Sequence, residues 1–225
     1  MRRFALAAVL LVAAGCGGSA RLPELGFEPG GPPGDRGPGL VALRFVQAAR
    51  AGDTERLRAL MSAPTRASFG PGGGAELARQ LAGFGDARIV LSRPLDGPWA
   101  VAALAGRDDD GDPAAWAAAL RLEDEAWRVE LGGVFFTRLR PSPLADAEPR
   151  PEIRVEAQAG GEVDDVRAWI VPEELRAHAV RRAPFTREIW GRLDASLEEG
   201  LHTLVAFAIA GETAGAVAWQ FEVAG

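Results

Sequence analysis

Leu43-Arg44-Phe45-Val46-Gln47-Ala48-Ala49-Arg50-Ala51-Gly52-Asp53 sets the register for the rest of the chain. Leu43, Val46 and Gln47, then Phe45 with Ala48 and Ala49, recur at helical spacing and predict an amphipathic helix that stops at Gly52. Asp53 is placed to cap a second helix carrying Leu57, Leu60 and Met61, with Pro64 closing it. Leu77, Leu81 and Phe84 predict a third short helix beyond a Gly-rich loop.

Strand alternation takes over after these helices. Ile89 and Leu91, then Trp99, Val101 and Ala103, mark the first two strands. Ala118, Leu120 and Leu122 face Trp127, Val129 and Leu131 across the acidic turn Glu123-Asp124-Glu125, with Arg121, Arg128 and Glu130 pointing outward. Residues 134–139 add a last strand. Helices followed by a curved antiparallel sheet predict an α+β cone over residues 39–140. The run from Leu43 to Asp53, with Leu57 and Leu60-Met61 behind it, resembles the nuclear transport factor two-like superfamily. That resemblance implies a small cone-shaped domain. Some members are isomerases that set a carboxylate base against an oxyanion hole, often built with Tyr. This chain has no Tyr, and Asp86 and Asp96 are the carboxylates such a site would have to use.

Pro141, Pro143, Pro149 and Pro151 mark residues 141–151 as a linker. Past it, Ile153, Val155 and Ala157 alternate with Arg154, Glu156 and Gln158. Val205, Phe207 and Ile209 oppose Val217, Trp219, Phe221 and Val223 across residues 211–215, which predicts an all-β sandwich over residues 152–225. The Gly-x-His-Thr turn at Gly200-Leu201-His202-Thr203 and the Trp-x-Phe-x-Val strand at Trp219 to Val223 resemble bacterial immunoglobulin-like domains.

The amino terminus has a different character. Arg2 and Arg3 precede an apolar run over residues 4–14, too short for the ~20 residues that span hydrocarbon and suited to a signal-peptide core. Ala13-Ala14-Gly15-Cys16 resembles the bacterial lipobox, with Ala where Leu is usual. The resemblance implies cleavage of a signal peptide, residues 1–15, and a diacylglyceryl thioether on Cys16. Cutting near Ser19-Ala20, with Cys16 discarded, is the alternative. Residues 16–38 are rich in Gly and Pro and predict a disordered tether between membrane and folded body. The expected location is therefore extracytoplasmic, on the cell membrane or an outer membrane, with the lipid on Cys16 as anchor.

Composition narrows the partners. All 25 basic residues are Arg, and Lys, Tyr and Asn are absent together, which reads as a GC-rich genome and not as phosphate-binding chemistry. Losing Arg2 and Arg3 with the leader leaves 23 basic residues against 31 acidic, a charge of −8 that disfavours nucleic acid as a partner. Cys16 is the single cysteine, so no disulfide supports the fold.

Candidate sites are few. Asp108-Asp109-Asp110-Gly111-Asp112 is acidic enough to attract Ca²⁺, but counting an EF-hand loop from Asp108 puts Pro113 at the Gly position and Ala119 at the Glu position. A solvated turn is the expectation. His178 and His202 stand apart from any metal-ligating partner in sequence, and Trp99, Trp116 and Trp127 read as core or pocket wall. No catalytic, cofactor-binding or metal residue and no cofactor is expected. The chain reads as a non-enzymatic module for a small apolar ligand or an envelope protein. A pocket enzyme of isomerase or hydrolase type and a purely structural envelope protein are the alternatives.

Overall fold

The computed structural model describes residues 37–70, 73–175, 179–193 and 195–224. The leader, Cys16, most of the expected tether, and His178 lie outside these residues.

The described chain is mostly β, with four short helices and thirteen strands in three sheets. The helices are α1 (Pro38–Arg50), α2 (Thr54–Leu60), α3 (Ala63–Ser68) and α4 (Gly73–Ala82). Strands β1 (Gly85–Pro94), β2 (Trp99–Arg107), β3 (Pro113–Glu123) and β4 (Ala126–Glu130) form a meander in sequence order. Strands β5 (Val134–Arg140), β7 (Glu152–Ala159), β10 (Ala179–Ala183) and β11 (Thr186–Arg192) form an outer sheet in the order β10-β11-β7-β5. Strands β6 (Asp146–Ala147), β8 (Asp165–Ile170), β9 (Glu173–Glu174), β12 (Gly200–Ala210) and β13 (Thr213–Val223) form a central sheet in the order β6-β13-β12-β8-β9.

These pieces stack in four layers, and each boundary has its own apolar core. Helices α1, α2 and α4 cover one face of the meander through Phe45, Val46, Leu57 and Leu81 against Ala100, Ala102, Leu104 and Leu120. The opposite face offers Leu91, Trp99, Val101 and Ala119, which meet Trp169, Val205 and Phe207 of the central sheet. The other face of the central sheet, with Leu204, Ala206, Trp219 and Phe221, packs on Ile153, Val155 and Ile189 of the outer sheet. Polar ties cross the second boundary: Arg167 pairs with Asp96 at 2.9 Å, and Arg93 with Glu174 at 3.3 Å.

The expected α+β cone beside a separate immunoglobulin-like sandwich is therefore corrected. A cone needs a concave face left open, whereas β2 is buried at every position from Trp99 to Gly106. Alanines on both faces of β2 and β3 let helices approach from one side and the central sheet from the other. The sandwich differs too, because the central sheet is covered on both faces. Strand β5, expected to finish the meander, instead pairs with β7, and β6 lies within the expected linker and pairs with β13.

Local capping follows the expected chemistry in part. Gly52 takes a positive φ of 66° at the end of α1, and Asp53 Oδ1 accepts from Arg56 N at 2.9 Å at the start of α2. Met61 is extended and bridges to Val129. Pro64 does not close α2; it sits in the first turn of α3, where its missing N–H costs nothing.

Candidate functional site

Two buried polar groupings stand out against this apolar framework. The first is at the start of α3. Ser62 Oγ, the N-cap, accepts from Thr65 N at 3.2 Å and donates to Glu130 Oε2 in a short contact. Thr65 Oγ1 accepts from Leu131 N at 2.9 Å. Glu130, expected to point outward, is 3% exposed, and burial raises its carboxyl above the ordinary value despite the Ser62 hydrogen bond. Nearby, Glu123 accepts from Ala63 N through both oxygens at 3.0 Å. A nucleophilic serine would need a base that takes its proton. Here Glu130 could accept that proton, but Ser62 is fully buried and its hydroxyl caps α3, so a substrate has no access to it.

The second grouping lies on the outer sheet, on the face turned away from the central sheet. Alternation along β7 puts Ile153, Val155 and Ala157 into the core and leaves Arg154, Glu156 and Gln158 on the other face, as the sequence pattern predicts. On β11 the same register brings Glu188 opposite Glu156 and Trp190 opposite Arg154. On β5, Phe135 is opposite Gln158 and Thr137 opposite Glu156.

The two carboxylates are shielded by their neighbours. Glu156 Oε1 accepts from Thr137 Oγ1 at 3.0 Å and from Gln158 Nε2 at 2.7 Å, and Oε2 lies 3.5 Å from Arg138 Nε. Arg138 occupies a break in the β5 register with a positive φ of 52°, a bulge that re-aims its side chain toward this pair. Glu188 is 3% exposed, and its Oε1 accepts from Arg154 Nε in a short contact. Glu188 Oε2 is buried with no hydrogen-bond partner among the described residues. The Arg154 hydrogen bond holds the Glu188 carboxyl below its ordinary value against the opposing effect of burial.

Aromatic rings frame these charges. Trp190 is 46% exposed, and the Arg154 guanidinium sits 6.0 Å from its ring centre. Phe135, at 48%, lies at the opposite corner of the face. Arg138, Arg140 and Arg181 are exposed there, whereas Glu156 and Glu188 are buried; Glu152, opposite Arg192, is the exposed acid. The face thus presents cations and aromatic rings over buried carboxylates. A general acid needs a carboxyl held protonated, and Arg154 does the reverse to Glu188. The arrangement suits binding more than proton transfer.

The residues singled out by sequence fall elsewhere. Asp108 Oδ1 accepts from Asp110 N and Asp112 N, closing the β2–β3 turn on itself. His202 stacks on Phe221 at 5.7 Å, and its Nε2 lies 2.8 Å from the Glu198 carbonyl oxygen. Asp86 is exposed and Asp96 is taken up by Arg167. Trp99 is buried between sheets beneath Arg121, and Trp116 stacks on Phe45. Glu188, Trp190, Phe135 and Arg138 escape sequence reading. For Glu188 and Trp190 the one signal is the Thr186-Arg187-Glu188-Ile189-Trp190 alternation, in which a Trp falls on the polar side.

No protein-family model matches the chain, and no curated protein matches it. Among solved structures, the endo-beta-1,4-mannanase from Thermotoga petrophila is similar at 7% identity and a TM-score of 0.32, over 42% of this chain and 20% of that chain. A likeness that slight carries no argument about fold or activity.

Proposed function

We propose that this chain is an extracytoplasmic lipoprotein, anchored through lipid on Cys16, whose folded body is a non-enzymatic binding module for a ligand or an envelope protein. The lipobox-like Ala13-Ala14-Gly15-Cys16 behind a short apolar run supports the anchor. No helix among the described residues is long and apolar enough to cross a membrane. The binding role rests on one observation. The outer face of β10-β11-β7-β5 leaves Trp190, Phe135 and several Arg exposed above two buried carboxylates. Aromatic residues and Arg are the residue types enriched where proteins bind their partners.

The test is fractionation and intact mass of the wild-type chain and Cys16→Ser. Wild type should partition with membranes and carry the added mass of the lipid, and Cys16→Ser should do neither. Equal release of both into the soluble fraction sinks the anchor.

A further inference from the structure

We infer that the outer face of β10-β11-β7-β5 binds an anionic polysaccharide of the polyuronate type. This rests on the reading of that face as the binding surface and adds the ligand's chemistry. Trp190, Arg154, Glu156, Gln158 and Phe135 form a diagonal across three adjacent strands. Standard strand spacing puts its aromatic ends roughly 17 Å apart, a reach for a short run of sugar rings. Sugar rings present C–H faces that stack on exposed aromatic side chains, and hydroxyls that both donate and accept hydrogen bonds.

Charge on the face selects among such ligands. Arg138, Arg140 and Arg181 are exposed; Glu156 and Glu188 are buried and engaged by Arg138, Arg154, Thr137 and Gln158, and Glu152, opposite Arg192, is the exposed acid of the face. The surface thus exposes more cations than acids on a chain of net charge −6, which favours a polyanion there. Carboxylates at sugar spacing would meet the guanidinium groups, which bind them in planar two-point contacts. Half-buried Thr137 and Gln158 on the same face offer polar side chains to ligand hydroxyls, which both donate and accept. A polypeptide strand would be expected to pair along a sheet edge, and this chemistry lies on the flat of the sheet.

The experiment is affinity electrophoresis of the full chain in detergent micelles through gels holding polygalacturonate, dextran or poly-L-glutamate. Polygalacturonate should retard the wild type, less as salt rises. Trp190→Ala should weaken retardation about tenfold, the loss expected for one stacking contact. Trp190→Phe should restore most of it. Arg138→Ala with Arg181→Ala should flatten the salt dependence. Melting curves matching wild type confirm that the variants fold. Equal retardation by dextran overturns the anionic requirement. Retardation by poly-L-glutamate that Trp190→Ala abolishes overturns the glycan and keeps the binding face. Polygalacturonate binding that Trp190→Ala leaves unchanged overturns both. No retardation in any gel overturns the glycan, and the membrane fractionation of Cys16→Ser then judges the anchor independently.

Discussion

Glu188 lies directly opposite Glu156 on neighbouring strands, two carboxylates sharing one rung of the outer sheet. Like charges so placed repel, and the rung survives because Arg154 engages one and Arg138 the other. Arg154→Met should therefore lower the melting temperature clearly at neutral pH by leaving Glu188 charged and buried. The folded-state carboxyl of Glu188 is depressed, so its contribution is present above the unfolded carboxylate range, about pH 4.3, and is lost as pH falls through the lower folded value. The gap between wild type and Arg154→Met should narrow as acid protonates Glu188. Melts at a series of pH values check this, and parallel curves across the range would refute it.

Glu130 has the opposite sign. Burial raises its carboxyl, so between its unfolded and folded values the native state holds the proton more tightly. Stability from this group is thus greatest in acid and falls as pH rises through the raised value. Glu130→Gln, which keeps an oxygen to accept from Ser62, should remove that slope and match or exceed wild type at neutral pH. Ser62→Ala should cost about 1–3 kcal/mol, because it takes away the α3 cap and strands the buried carboxyl. Denaturant unfolding of both variants at two pH values separates these effects.

Which features sequence could reveal follows from how many faces a segment buries. The end of α1, the Asp53 cap and the β3–β4 register of Leu120 with Val129 and Leu122 with Trp127 are local, and spacing alone points to them. The layering is not local. Reading β12 for period two selects Val205, Phe207 and Ile209 as its core face. Leu204, Ala206 and Ala208 line a second core against the outer sheet. The unbroken run from Leu204 to Ile209 carried that information, since strands buried on both faces lose alternation. Alanine obscures it, being small enough to pass for a neutral residue while making close sheet contacts. The candidate face of the outer sheet is half legible: alternation points Arg154, Glu156 and Gln158 outward, and their cross-strand neighbours Glu188 and Trp190 depend on a pairing that sequence does not specify.

Close approach between two sheets makes a further prediction at Gly215. A Cβ added there would lie 2.9 Å from the Val134 carbonyl oxygen and 3.0 Å from its Cβ, where β13 passes β5. Neither contact is with the free end of a side chain, so the sheets would have to separate. Gly215→Ala should destabilise by about 1–3 kcal/mol, in the range of overpacking. A chemical denaturation curve unchanged from wild type would mean that β5 is held less firmly than its contacts imply.

Trp169 and Trp219 lie on opposite faces of the central sheet and answer differently to the same substitution. Trp219 Nε1 donates to the Pro141 carbonyl at 2.8 Å, while Trp169 is fully buried and its Nε1 has no partner among the described residues. Replacing either with Phe removes similar volume and leaves a similar void. At Trp219 the change also strands the Pro141 carbonyl; at Trp169 it removes a buried N–H that burial penalises. Trp219→Phe should therefore cost about 1 kcal/mol more than Trp169→Phe in denaturant unfolding. An equal or reversed order would refute the claim that the Pro141 hydrogen bond and the unpaired Trp169 N–H set the difference.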